Sequence, residues 1–142
     1  MGCVMGVKNL SISNCLSLTM TSNIHIDRRA YPRYRVKMYT QITTPVFYIS
    51  VNTIEISVEG IRVETYSQIT PGTIVTVSFD LIQDLLFYGK VMWEIAFHKN
   101  DILIYDIGIK IHRIMLSGIK VKGFNNKNEL IKDILNELKK TE

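Results

Sequence analysis

From Tyr34 onward the chain is a succession of short runs in which apolar and polar positions alternate. Val36, Met38 and Thr40 alternate with Lys37, Tyr39 and Gln41; Thr43-Thr44-Pro45 interrupts them, and Val46 to Ile56 is rich in β-branched and aromatic residues. Ser57-Val58-Glu59-Gly60 reads as the next turn, with Gly60 expected at the positive φ that lets the chain reverse. Ile61 and Val63 then alternate with Arg62 and Glu64, which gives one buried and one wet face. After Pro71-Gly72, residues Val75, Val77, Phe79 and Leu81 alternate with Thr76, Ser78 and Asp80. Leu85 to Phe97 repeats the pattern with Phe87, Gly89, Val91 and Trp93 on one face, and His98-Lys99-Asn100-Asp101 supplies a reversal. Leu103, Tyr105, Ile107, Ile109 and Ile111 line one face of a last long strand; Gly89 and Gly108 are expected at bends or close backbone approaches. Six strands at short spacing, joined by turns, predict an all-β fold: a closed or nearly closed six-stranded antiparallel barrel.

The two flanks differ from this middle. Residues 1–26 show no sustained period and are expected to form a flexible lead-in, with residues 27–142 as the domain proper. Near the C-terminus, Asn126 and Glu129 have capping-box spacing, and Leu130, Ile131, Ile134, Leu135 and Leu138 fall on one face. Lys139 and Lys140 complement the dipole at the other end, so an amphipathic helix is expected at about 127–140. Its apolar face either caps the barrel or meets a partner.

Composition narrows the class. A chain of 142 residues, 46% hydrophobic and 21% charged, is one globular domain's worth and unlike a disordered segment. The net charge of +4 favours an anionic partner, but its concentration in one arginine cluster and the C-terminal lysines does not describe a nucleic-acid groove. Cys3 and Cys15 match no metal or redox spacing and read as reduced and incidental. No run approaches the 18 apolar residues a membrane helix needs, and the N-terminus lacks a basic region followed by an apolar one; membrane insertion is not expected, and the expected location is the cytoplasm.

Catalytic chemistry finds little support. His25, His98 and His112 are far apart, no G-x-S-x-G places a nucleophile, and no metal or phosphate-loop motif occurs. The chain is therefore read as a non-enzyme with no catalytic residues and no metal.

Binding chemistry is concentrated in Asp27-Arg28-Arg29-Ala30-Tyr31-Pro32-Arg33-Tyr34-Arg35, which holds four of the six arginines. Pro32 fixes its own φ and biases Tyr31 away from the α region, so this is a loop. A guanidinium presents five donors in a planar fork that pairs bidentately with phosphate or with guanine O6/N7 and stacks on bases. The cluster suggests an anionic, planar ligand.

Arg28-Arg29-x-x-x-Arg33 ahead of the first strand, followed by Glu55-x-Ser57-x-x-Gly60 at a hairpin turn, resembles the PilZ domain, a bacterial receptor for cyclic di-GMP. The order of strands is similar to the PilZ barrel over about residues 28–114. Glu55 stands where the family has Asp or Asn. The resemblance implies that Arg28, Arg29 and Arg33 pair with ligand phosphates and guanine edges or stack on bases. By the same resemblance Glu55 accepts from guanine, Ser57 bonds ligand or turn backbone, and Gly60 keeps the strand edge clear. It implies a switch that signals to a downstream protein in motility, biofilm or secretion control. Two other readings stay open: a PilZ adaptor that binds a protein partner without nucleotide, and a β-barrel that binds single-stranded nucleic acid by stacking on Tyr31, Tyr34 and Tyr39. Oligomeric state is open, a homodimer included.

Overall fold

A computed structural model describes residues 31–140. Cys3, Cys15, His25, Arg28 and Arg29 lie outside the described residues, as does the whole expected lead-in. The described chain forms β1 (Tyr34–Thr43), β2 (Tyr48–Ile56), β3 (Gly60–Thr65), β4 (Ile74–Phe79), β5 (Leu85–Lys99), β6 (Ile102–Leu116), β7 (Ile119–Lys120) and α1 (Phe124–Lys140). Neighbours run antiparallel in the order β3-β2-β1-β4-β5-β6, and β3 pairs back onto β6. Six strands thus close a barrel, with β7 added outside on β6, as the alternating pattern predicts. Closure leaves the six barrel strands without a continuous free edge.

Inward positions are aliphatic and tightly enclosed. Ile42, Ile56, Val63, Val77, Phe87, Ile107 and Ile114 have no exposed surface, and Phe87 meets Phe79 edge to face at 5.0 Å. Two threonines point into the same interior. Thr40 and Thr53 satisfy each other there, their hydroxyl oxygens 2.6 Å apart. Leu130, Ile131 and Ile134 of α1 belong to this same core cluster, and Leu135 and Leu138 pack against it. The helix's apolar face therefore covers the barrel's core.

Four expectations need correction. Gly60 is absent from the positive-φ glycines among the described residues, which are Gly72, Gly118 and Gly123. Its lack of a side chain matters for space, because a Cβ there would sit 3.0 Å from the carbonyl oxygen of Ile109 on β6. Trp93 does not continue the inward face of Leu85, Phe87 and Val91. The β5–β6 register shifts between Val91 and Trp93, which turns the indole onto the outer face above Gly108, where any Cβ would overlap the ring. Leu103 keeps inward parity yet is 41% exposed, since it lies beyond Thr65, the last β3 residue paired with β6, and there Ile104, on the opposite face, is the buried residue. Lastly, α1 begins at Phe124, just after the positive-φ Gly123, and Asn126 donates to the Lys122 carbonyl and does not cap the helix. Gly89 behaves as expected: it sits at a register shift, too close to the Lys110 backbone for a side chain.

No helix among the described residues is long and apolar enough to cross a membrane.

Candidate functional site

Register across four ladders assembles one row of side chains on the outer face. Arg35 of β1 lies opposite Glu55 of β2, Glu55 opposite Arg62 of β3, Arg62 opposite Gly108 of β6, and Gly108 opposite Trp93 of β5. Directly opposed residues share a face. The intervening Ile56, Ile61, Val63, Ile107 and Ile109 point into the core.

Glu55 reaches that row through a bulge. Thr53 is fully buried, so strict alternation would send a residue two positions later inward as well. The β2–β3 ladder instead skips a residue between Thr53 and Glu55, with Ile54 left over, and the carboxylate emerges outside.

There it meets the arginine loop. Arg33 Nη1 lies 3.6 Å from Glu55 Oε1, the two side chains being 39% and 18% exposed. The two halves of the sequence motif are therefore in contact in the folded chain. Beside them, the buried Ser57 ties the turn: its hydroxyl oxygen accepts from the amides of Gly60 at 3.2 Å and Glu59 at 3.3 Å, and its own amide donates to Gly60 O at 2.9 Å. The Glu59 carbonyl accepts from Ile111 N at 2.8 Å, which anchors the turn to β6. Ser57 thus shapes the site from behind, with its hydroxyl engaged by backbone.

A second ion pair completes the patch. Arg62 grips Asp106 side-on, Nε donating to Oδ1 at 2.9 Å and Nη2 to Oδ2 at 2.8 Å. This hydrogen bond raises the pKa of Arg62 above its ordinary value; burial opposes it, and the charges of Asp106, Glu55 and Glu64 add to it. Lys110 lies opposite Gly60 at the margin, contributing another cation. Among the described residues no group of three or more His, Cys, Asp and Glu could hold a metal ion.

The loop is also fastened to α1. Tyr31, inside the arginine motif, stacks on Phe124 with ring centroids 5.2 Å apart, and Tyr34 donates to Asn128 Oδ1 at 3.3 Å.

Of the six residues singled out in the sequence, Arg33, Glu55, Ser57 and Gly60 gather at this one place; Arg28 and Arg29 fall outside the described residues. Sequence reasoning missed Arg62 and Asp106 as members. Arg62 was legible as a wet-face residue near Gly60, but Asp106 is 44 positions away and joins it only through the β3–β6 closure.

The family model for the PilZ domain matches residues 27–119. No curated protein matches the chain. Among solved structures, the Bacillus subtilis inhibitor of motility (MotI/DgrA) is similar, with a TM-score of 0.55 and 18% identity, over 78% of this chain and 53% of that one. The chain spans about half the length of that protein, and the likeness is one of fold.

Proposed function

We propose that this chain, which belongs to the PilZ domain family, is a non-catalytic receptor for cyclic di-GMP that passes ligand binding on to a protein partner. The observation that carries this reading is the contact between Arg33 and Glu55, which brings both halves of the family's binding motif together on the outer barrel face. In this reading Arg28, Arg29 and Arg33 take ligand phosphates and guanine edges, Glu55 accepts from guanine N–H groups, and Ser57 with Gly60 keeps the turn compact beneath the ligand. Good bidentate contacts of this kind discriminate by about 1–3 kcal/mol each.

The switch follows from the same pair. A ligand that recruits Arg33 breaks its contact with Glu55 and re-poses the loop, which Tyr31 and Tyr34 connect to Phe124 and Asn128 of α1. Residues 1–26 are proposed as a lead-in to the domain. We place this activity in the cytosol, with a motility, biofilm or secretion component as the class of partner.

A second reading is favoured by one feature. Glu55 replaces Asp or Asn and already gives Arg33 an anion, as a nucleotide-independent adaptor would require. Isothermal titration of cyclic di-GMP into the protein, with Arg29→Ala as control and cyclic di-AMP as competitor, separates the two. Micromolar binding lost in the variant supports the receptor; silence at high protein concentration supports the adaptor.

A further inference from the structure

Arg62 is held in an unusual way for a surface arginine. Its register partners are Glu55 and Gly108, yet its guanidinium passes over Gly108 to the diagonal Asp106 and is gripped there through Nε and Nη2. Only one edge of the fork is used. Nη1 has no hydrogen-bond partner among the described residues, and the side chain remains 38% exposed. Opposite it stands Glu55, which makes the long ion pair with Arg33. A guanidinium held by Asp106 and a carboxylate therefore belong to directly opposed residues of adjacent strands, where Cβ atoms are about 4.5–5.5 Å apart.

Guanine's Watson–Crick edge carries an acceptor, O6, beside two donors, N1–H and the N2 amino group. Adenine carries the reverse at the first two places, an amino donor and the N1 lone pair. A carboxylate beside a guanidinium complements the first and opposes the second at both positions, so it selects by repulsion as well as attraction. Resting on the receptor reading above, we infer that Arg62 donates to O6 of the guanine whose N–H groups Glu55 accepts, making the pair the element that distinguishes guanine from adenine. Asp106 is the positioning residue: it fixes the guanidinium plane and prevents Arg62 from collapsing onto Glu55, which would cancel both functions.

A merely structural role has to be separated from this one. Glu64 lies directly opposite Asp106, and a cation between two like charges stabilises the β3–β6 pairing whether or not a ligand exists. Such a role would alter melting and leave base selectivity alone.

Titrations of cyclic di-GMP, cyclic di-IMP and cyclic di-AMP into wild type, Arg62→Ala, Arg62→Lys, Asp106→Asn and Arg33→Ala test it, with melting curves for every variant. The inosine ligand keeps O6 and N1–H and lacks the amino group. Arg62→Ala is expected to weaken both O6-bearing ligands by the same factor, about 5- to 150-fold for one good base contact, and to lower the guanine-to-adenine ratio accordingly. Arg62→Lys, which keeps the charge without the fork, recovers only part; Asp106→Asn loses selectivity with the arginine still present. If wild type binds and Arg33→Ala does not, while folded Arg62→Lys and Arg62→Ala bind cyclic di-GMP within twofold of wild type, the inference is overturned and the receptor reading stands. No binding by wild type overturns both.

Discussion

Tyr31 stacks on Phe124 with an angle of 26° between the ring planes, so a residue inside the arginine motif rests on the first residue of the C-terminal helix. Loop position and helix position are thereby linked by a contact that Phe124→Ala removes. Ligand-dependent change in hydrogen exchange at the first turns of α1 is expected in the wild type and expected to vanish in Phe124→Ala, with affinity changed by less than about tenfold because neither ring carries ligand chemistry. Equal exchange changes in both proteins would refute the linkage.

Arg33→Ala should separate binding from stability. The ion pair with Glu55 is long and partly exposed, so its loss is expected to cost no more than about 0.5 kcal/mol in urea unfolding. Cyclic di-GMP affinity, in contrast, should fall about tenfold or more. A variant that loses a large share of its stability would assign Arg33 to the fold.

Ser57→Ala acts from the opposite direction. The buried hydroxyl serves two backbone amides, and removing it leaves donors unsatisfied at about 1–3 kcal/mol. For a domain of this size that corresponds to a fall in Tm of roughly 3–4 °C per kcal/mol. Thermal unfolding followed by circular dichroism checks it, and an unchanged Tm would mean that water replaces the hydroxyl.

Gly108→Ala should be among the more damaging small substitutions. Its methyl would enter the space of the Trp93 indole, and overpacking of this kind costs about 1–3 kcal/mol. Pairing it with Trp93→Ala should recover much of the loss, so a double-mutant cycle is expected to show strong non-additivity. Additive effects would mean that the clash is relieved elsewhere.

Thr40 and Thr53 offer a cleaner case of mutual dependence. Thr40→Val or Thr53→Val alone strands a buried hydroxyl and should cost about 1–3 kcal/mol, whereas the double valine variant should be close to neutral. Chemical denaturation of the three variants decides it.

What was legible in the residues themselves is what short range controls. Period-two alternation is a local property of an extended backbone, so the strands from Tyr34 to Leu116 and the turn at Ser57–Gly60 could be read directly. The arginine segment was legible only in part: Pro32 and Arg33 precede β1 as a loop, whereas Tyr34 and Arg35, expected in that loop, pair with β2 as the first residues of β1, and Arg28 and Arg29 lie outside the described residues. The apolar stripe of α1 fell where 3.6-residue spacing put it, although Gly123 starts the helix earlier than Asn126 suggested.

Facing and partnership were decided by tertiary structure. A bulge moves every later side chain to the other face of a strand, and nothing local marks Ile54 or the step after Val91 as the place where alternation fails. Glu55 and Trp93 are on the outside for that reason alone. The Arg62–Asp106 pair depends on β3 meeting β6, a consequence of barrel closure and of no motif. The sequence by itself determined the barrel strands and where most of them turn; only the closed barrel, through register summed over six strands, decided which charges stand side by side.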